Sequence, residues 1–165
     1  MEKDNGYPFQ TLSIRPHWLQ YCINQIKWSC VCGILYGLYF VTGFAVHIVF
    51  AYLATALLIY LILEVLGLAR VRYIVTKEQI IYLHGLFSHK TDYMELYRVI
   101  DYQQHRTLMQ QFLGLKDVTI MSGDRNLPNL EIIGVREDDD IVGEIRRRVE
   151  YNKKINGIYE ITNRM

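Results

Sequence analysis

Glu64 is the side chain whose position most directly suggests chemistry, because it interrupts a long apolar stretch. Positions 28–63 contain no Asp, Glu, Lys or Arg, and Lys27 and Glu64 bound this run. A charged residue within an apolar span is a candidate for an ion or proton pathway. The alternative is an ion pair at the membrane surface: if the run turns near residues 45–46, Lys27 and Glu64 lie at equal distances from the turn. We favour the interfacial Lys27–Glu64 ion pair.

The cysteines and histidines do not have the spacing of a metal site. Cys30 and Cys32 form a Cys-x-Cys pair without a second pair or nearby histidines, which is more typical of packing residues. His84 and His89 flank a predicted turn at Gly85. No Ser-His-Asp, His-Glu-x-x-His, Gly-rich phosphate loop or paired-carboxylate pattern is found. The sequence therefore predicts no catalytic residue, no metal and no cofactor.

An arginine run, Arg146–Arg148, could be a phosphate-binding patch. Consecutive residues on a helix point in different directions, so we interpret the run as a solvated helix face. The helix itself is predicted by acidic residues at its start, Asp138–Asp140, and by Lys153 and Lys154 at its end, which suit the helix dipole.

The apolar run predicts two membrane-spanning helices. A bilayer needs about 20 apolar residues per helix, so positions 28–63 are too long for one span and suit two. We expect a hairpin with helices at about Lys27–Val46 and Ile48–Ala69, and the segment Thr42–His47 at its tip. A secretory signal has a shorter apolar region near the N-terminus and a cleavage site, which does not fit.

Charges around the run predict its orientation. The tip carries no Lys or Arg, whereas basic residues flank both helices, and such residues are retained in the cytoplasm. These flanking residues are Lys3, Arg15, Lys27, Arg70, Arg72 and Lys77. Both termini are therefore expected in the cytoplasm. Gly33 and Gly37 form a G-x-x-x-G spacing that lets helices approach closely, either within the hairpin or between two protomers.

The region from residue 70 onward has the pattern of a small α+β domain. It carries 15 basic and 14 acidic residues, which argues against a nucleic-acid-binding surface. Short β-like runs alternate with turn signals, and Ile141, Ile145 and Val149 give the final helix one apolar stripe. The predicted strands begin with Tyr73–Thr76 and continue with Gln79–Leu83, Phe87–Met94, Val99–His105, Asp117–Ser122 and Leu130–Val135.

Several segments together resemble the bacterial pleckstrin-homology-like (PH-like) family of membrane-anchored proteins. The matching segments are Tyr73-Ile-Val-Thr-Lys-Glu, Gly85, Glu95-Leu-Tyr-Arg-Val-Ile-Asp-Tyr, Gln110-Gln-Phe-Leu-Gly-Leu, Val118–Ser122 and Ile132-Ile-Gly-Val. The resemblance implies a transmembrane hairpin followed by a PH-like β-barrel or split sheet that is capped by a C-terminal helix. The expected division is 1–26 as a cytoplasmic or interfacial segment, 27–69 as the hairpin, 70–154 as the PH-like domain and 155–165 as a tail.

Three functions are compatible with this organisation. We favour a non-catalytic binding or scaffold module at the cytoplasmic face of the bacterial inner membrane, with a membrane protein or a second copy of itself as partner. The first alternative is a reader of anionic lipid headgroups through the basic residues Arg70, Arg72, Lys77 and Lys90, each contributing about 1 kcal/mol near an anionic surface. The second is a membrane-perturbing or pore-forming oligomer that uses Glu64.

Overall fold

The computed structural model describes residues 9–41 and 44–158 of the chain. Strand β1 (Leu12–Ile14) comes first, followed by the helices α1 (Trp18–Val41) and α2 (Phe44–Ala69). Six strands and two helices complete the order: β2 (Arg72–Val75), β3 (Gln79–His84), β4 (Lys90–Glu95), β5 (Val99–His105), α3 (Leu108–Leu113), β6 (Leu115–Ser122), β7 (Asn129–Arg136) and α4 (Ile141–Ile155). A short 3-10 turn, Leu96–Arg98, joins β4 to β5.

The helices α1 and α2 pack against each other as the predicted hairpin, but with different bounds. α1 begins at Trp18 instead of Lys27 and ends at Val41, and α2 begins at Phe44 instead of Ile48. Positions 42–43, which belong to the predicted tip Thr42–His47, lie outside the described residues. The packed face contains Cys32, Ala54 and Leu61, all buried. The Cys32 thiol lies 3.7 Å from the carbonyl oxygen of Ala54. The burial of Cys32 and this contact agree with a packing role for its side chain.

One helix among the described residues is apolar and long enough to cross a membrane. This segment is Ile48–Ala69 in α2. The first half of α1 contains Gln20, Asn24, Gln25 and Lys27, so its apolar part begins only at Trp28. A membrane span in α1 therefore stays a prediction.

A four-stranded antiparallel sheet has the order β1-β2-β3-β4. β1 comes before the hairpin, yet it pairs with β2, which follows the hairpin; Leu12 faces Val75 and Ile14 faces Tyr73. From the sequence we expected the residues of β1 to belong to a separate N-terminal segment, 1–26. The structure instead inserts the whole hairpin between two neighbouring strands of one sheet.

A three-stranded antiparallel sheet, β5-β6-β7, completes the domain together with α4. The alternating apolar residues of both sheets point inward, as expected for strands with one buried face. Ile141, Ile145 and Val149 of α4 are buried against them, as their spacing predicted. The most deeply buried core residues include Tyr73, Ile80, Met94, Ile120, Ile132 and Ile145.

The strand directions sort the connections into two groups, which we call the hairpin end and the far end. Strand β2 starts directly after α2, so we call the end of the domain where β2 starts the hairpin end. The connections at this end are 85–89, 106–114 (with α3) and 137–140. The far end contains the turn 76–78, the 3-10 turn Leu96–Arg98 and the loop 123–128.

The prediction that Arg146–Arg148 form a solvated helix face is wrong for Arg148. Arg146 and Arg147 are exposed, but Arg148 is only 2% exposed. Its guanidinium donates hydrogen bonds to the Glu144 carboxylate and to the carbonyl oxygens of Val75 and Gln10, at 2.9, 3.2 and 2.6 Å. Arg148 therefore ties α4 to β2 and to the segment before β1.

Candidate functional site

A cleft of about 970 Å³ lies where the hairpin meets the sheets. α1 contributes its segment 23–28, α2 contributes Glu64 and Leu68, and the domain contributes the opposite wall. That wall is formed by Tyr82, His84, Gly85, Thr107, Met109 and Ile133. We call this space the junction cleft.

A polar network below the cleft fixes α1 to the domain. The Gln110 amide nitrogen donates to Gln20 Oε1 at 3.1 Å and to Asp117 Oδ2 at 2.8 Å. Asp117 Oδ1 accepts a hydrogen bond from the Gly134 backbone N–H at 2.7 Å. Both Gln20 and Gln110 are buried, at 5% and 1% exposure. Buried amides need such partners because an unpaired polar group is costly.

Glycine is required at position 134 for two reasons. Its φ is +61°, a conformation that side chains other than glycine rarely adopt. A Cβ there would also lie 2.6 Å from the Gln20 side chain. The close approach of α1 to β7 therefore depends on Gly134.

Sequence reasoning did not identify this network, although one local signal for it exists. Thr107 and Gln110 have the spacing of a capping box, and the structure contains that box at the start of α3. The capping box predicts where α3 begins. The contacts of Gln110 with Gln20 and Asp117 join distant parts of the chain, so no local pattern announces them.

Glu64 lines the junction cleft, but its partners are not the predicted ones. Its carboxylate accepts hydrogen bonds from Gln25 Nε2, at 3.1 Å, and from the Tyr60 hydroxyl. Across the described residues no ion pair joins Lys27 to Glu64, although Lys27 also lines the cleft. The prediction assumed a turn at 45–46, but α1 ends at Val41 and α2 begins at Phe44, so Lys27 and Glu64 are no longer equally far from the connection.

Two polar residues in the described part of the hairpin, Glu64 and Thr55, were candidates for lining a pore. Both carboxylate oxygens of Glu64 have partners within the hairpin. The Thr55 hydroxyl donates to the carbonyl oxygen of Ala51 in its own helix, at 2.8 Å. The pore hypothesis stays a prediction, and these contacts show only that Glu64 and Thr55 have partners within the hairpin.

An aromatic stack runs along the sheet from the core to the junction cleft. The rings of Tyr73 and Tyr82 are stacked at 5.0 Å, and those of Tyr82 and His84 at 4.3 Å. His84 Nε2 lies 2.9 Å from Asp92 Oδ2. Burial, assisted by the nearby Asp92 charge, raises the pKa of Tyr82. The stack therefore extends from the buried Tyr73 to the imidazole–carboxylate pair of His84 and Asp92.

The four predicted lipid-binding residues do not form one cluster. Arg70, Arg72 and Lys90 lie at the hairpin end, where Arg72 and Lys90 are exposed. Arg70 Nη1 donates to the carbonyl oxygen of Leu86, at 3.1 Å. Lys77 lies in the turn at the far end, where its carbonyl oxygen accepts a hydrogen bond from Asn152. Lys77 therefore cannot act together with the other three.

The glycines of the G-x-x-x-G motif lie on the outside of the hairpin. Gly33 and Gly37 are exposed, and a Cβ at either position would have no neighbour within 4 Å among the described residues. The hairpin packs through Cys32 and Ala54 instead. The described residues therefore do not show the predicted packing of the motif within the hairpin. Packing between two protomers stays a prediction.

No group of three or more His, Cys, Asp or Glu side chains that could hold a metal ion occurs within the described ranges. The junction cleft offers an apolar wall, a carboxylate, an imidazole and a lysine. Such a cleft can hold an amphiphilic molecule or a polar segment of another protein.

The comparison with protein families gives one finding. The sequence profile of the bacterial PH domain matches residues 23–151. This range contains both helices of the hairpin from Ile23 onward, strands β2 to β7 and most of α4. No curated protein and no solved structure matches the chain.

Proposed function

The chain belongs to the bacterial PH domain family, and from that membership we propose that it is a non-catalytic binding module, held at the cytoplasmic face of the cell membrane by the α1–α2 hairpin. PH-like folds serve several binding functions, so the fold alone does not select one.

The pairing of β1 with β2 is the observation that carries the proposal. Two strands cannot pair through a bilayer, so the residues before α1 and after α2 lie on the same side of the membrane. That arrangement favours a hairpin whose two helices cross the membrane and return to the side from which they started. It argues against a single crossing that ends on the opposite side. The basic residues that precede α1 and follow α2 favour the cytoplasmic side.

The partner that we propose is a membrane protein or a second copy of this chain. The exposed surface around Gly33 and Gly37 supports this, because the absence of side chains there lets another helix approach closely. The apolar outer faces of both helices would then be shared between lipid and this partner.

The proposal can be tested on the full chain in mild detergent. We expect the tagged protein either to self-associate in light scattering or to retain a reproducible membrane protein partner. The double substitution Gly33→Leu and Gly37→Leu should weaken that association about tenfold or more, a loss of at least about 1.4 kcal/mol. Ala56→Leu is the control, since Ala56 is an exposed residue of α2 outside this motif. A monomeric wild type without any reproducible partner would contradict the proposal.

Recognition of anionic lipid headgroups is the second candidate, supported by the position of Arg70, Arg72 and Lys90 at the hairpin end. Its test compares lipids that remain bound to the full chain after purification. Replacing Arg72 and Lys90 with Gln should reduce the bound anionic lipid, whereas replacing Lys77 and Arg125 with Gln at the far end should not. Equal retention of anionic lipid by both double variants would remove this candidate.

A further inference from the structure

The two ends of the domain expose different kinds of side chain. At the far end, the turn 76–78 and the loop 123–128 contain Lys77, Glu78, Asp124 and Arg125 among their residues. At the hairpin end, the connections 85–89 and 106–114 expose large apolar side chains. Phe87 is 86% exposed and Phe112 is 84% exposed.

Helix α3 is amphipathic with its apolar face outward. Leu108 and Met109 are 72% and 52% exposed, and Phe112 and Leu113 lie one turn further on the same face. The opposite face contains Gln110, which is buried in the network with Gln20 and Asp117. A helix that buries a glutamine and exposes four apolar residues is unusual on a surface that faces water.

The loop 85–89 has the same character and is fixed in the same region. Arg70, the residue that follows α2, donates a hydrogen bond to the carbonyl oxygen of Leu86. Phe87 therefore lies close to the point where α2 ends. Gly85 and Met109 both line the junction cleft, so the loop and α3 flank the base of the hairpin.

Distances along the helices give the depth of these two elements. From Phe44 to Glu64, α2 rises about 30 Å, which matches the hydrocarbon core of a bilayer. Gln20, which holds α3, lies five residues from Gln25, the partner of Glu64, or about 8 Å along α1. Arg70 lies six residues beyond Glu64, or about 9 Å. The headgroup layer is roughly 5–8 Å thick on each side, so if the hydrocarbon core ends at Glu64, Gln20 and Arg70 lie at about the outer edge of this layer.

We propose that Phe87 and the outer face of α3 (Leu108, Met109, Phe112 and Leu113) form a second membrane contact, which inserts into the interfacial layer of the bilayer that the hairpin enters. This inference rests on the proposed membrane anchoring. The occupant of the surface is the bilayer because both elements flank the base of the apolar helix α2, next to the headgroup layer. Exposed aromatic and aliphatic side chains are well suited to that layer. The contact fixes the orientation of the domain relative to the membrane.

The test uses the full chain in vesicles of phosphatidylcholine and phosphatidylglycerol that contain a nitroxide-labelled lipid. An environment-sensitive fluorophore is attached to single cysteines, Phe87→Cys and Phe112→Cys, after the native Cys22, Cys30 and Cys32 have been replaced. Ile100→Cys is the matched control, because Ile100 is 68% exposed but lies at the far end. Leu58→Cys, in the middle of α2, reports whether the hairpin is in the bilayer.

We expect blue-shifted emission and strong quenching at positions 58, 87 and 112, and water-like, unquenched emission at position 100. Quenching at 58 without quenching at 87 and 112 would overturn the membrane contact while leaving the anchor intact, and a protein partner would then be the occupant of this surface. Quenching at 100 as strong as at 87 would also overturn it. Absence of quenching at 58 would contradict the proposed anchoring itself.

A second route avoids the cysteine replacements, which include the buried Cys32. Phe87→Trp is introduced into a chain in which Trp18 and Trp28 have been changed to Phe, and brominated lipids serve as the quencher. We expect the single tryptophan to be quenched, while Ile100→Trp in the same background is not. Equal accessibility of both tryptophans to an aqueous quencher would overturn the proposal.

Discussion

Arg148 connects three parts of the chain at the far end of the domain. Besides its bonds to Glu144, Val75 and Gln10, its guanidinium carbon lies 5.3 Å from the centre of the Phe9 ring. The bond to Gln10 fixes the backbone just before β1, so Arg148 supports the edge strand that closes the four-stranded sheet. The neighbouring Arg147 meets Glu144 on the exposed face of the same helix.

Replacing Arg148 should therefore destabilise the domain much more than replacing Arg147. Arg148→Met leaves several buried acceptors without a donor, and we expect a loss of about 3 kcal/mol. Arg147→Met removes an exposed ion pair and should cost less than about 1 kcal/mol. Thermal unfolding of the purified full chain measures both. Similar melting temperatures for the two variants would contradict the connecting role of Arg148.

Tyr102 gives a second prediction about a single residue, because its buried hydroxyl has no hydrogen-bond partner in the described part of the chain. Burial raises the pKa of Tyr102 to about 12, although the nearby Arg146 charge opposes this. Tyr102→Phe removes the unpaired hydroxyl, and we expect about 1 kcal/mol of added stability at neutral pH. Tyr93→Phe, at a site 54% exposed, is the control.

The pH dependence follows from the sign of this shift. The folded protein holds the Tyr102 proton more tightly than the unfolded chain, so the contribution to stability is complete below about pH 10. It is lost as the pH rises from about 10 towards 12. We expect alkaline unfolding, followed by circular dichroism, to begin at a higher pH in Tyr102→Phe than in wild type. An unchanged alkaline midpoint would mean that Tyr102 does not titrate with unfolding.

At the scale of elements, the hydrogen bonds of α3 decide how firmly the hairpin is joined to the domain. Gln110 and Gln111 are neighbours in one short helix, but Gln110 is buried and Gln111 is exposed. Gln110→Leu leaves Asp117 Oδ2 and Gln20 Oε1 without this donor, so we expect a loss of about 2 kcal/mol. Gln111→Leu should change stability by less than about 0.5 kcal/mol. The measurement is the melting temperature of each variant in the same detergent, and equal effects would contradict the proposed joint.

The sequence predicted elements whose signals are local and missed contacts that are distant along the chain. Helix α4 was predicted from its dipole charges and from Ile141, Ile145 and Val149, and the structure confirms it. The same helical spacing puts Arg148 on that stripe, three residues after Ile145, so this buried arginine could have been found. β1 is only three residues long, and its pairing partner begins beyond the whole hairpin. No local pattern could have predicted that pairing.

Membrane topology is the property that belongs to the whole molecule. Since β1 and β2 share a sheet, a cysteine placed before the hairpin, Thr11→Cys, and one placed after it, Gly123→Cys, should have the same accessibility. We expect neither to react with a membrane-impermeant reagent in intact cells, and both to react after lysis. The background lacks the three native cysteines.

Two results would contradict this topology in different ways. Labelling of both cysteines from outside would reverse the orientation but leave the sheet intact. Labelling of only one of them would contradict the pairing of β1 with β2 in the cell, and with it the insertion of the hairpin between these strands.

The insertion of the hairpin between β1 and β2 also imposes an order on biosynthesis. Leu12 leaves the ribosome 63 residues before its partner Val75 (75 − 12). At about 5–20 residues per second, β1 waits roughly 3–13 seconds while both helices emerge. The sheet can therefore close only after the whole hairpin has been synthesised. In the finished sheet β1 covers one edge of β2, and a chain in which β1 did not return to this position would leave that edge unprotected and prone to aggregation.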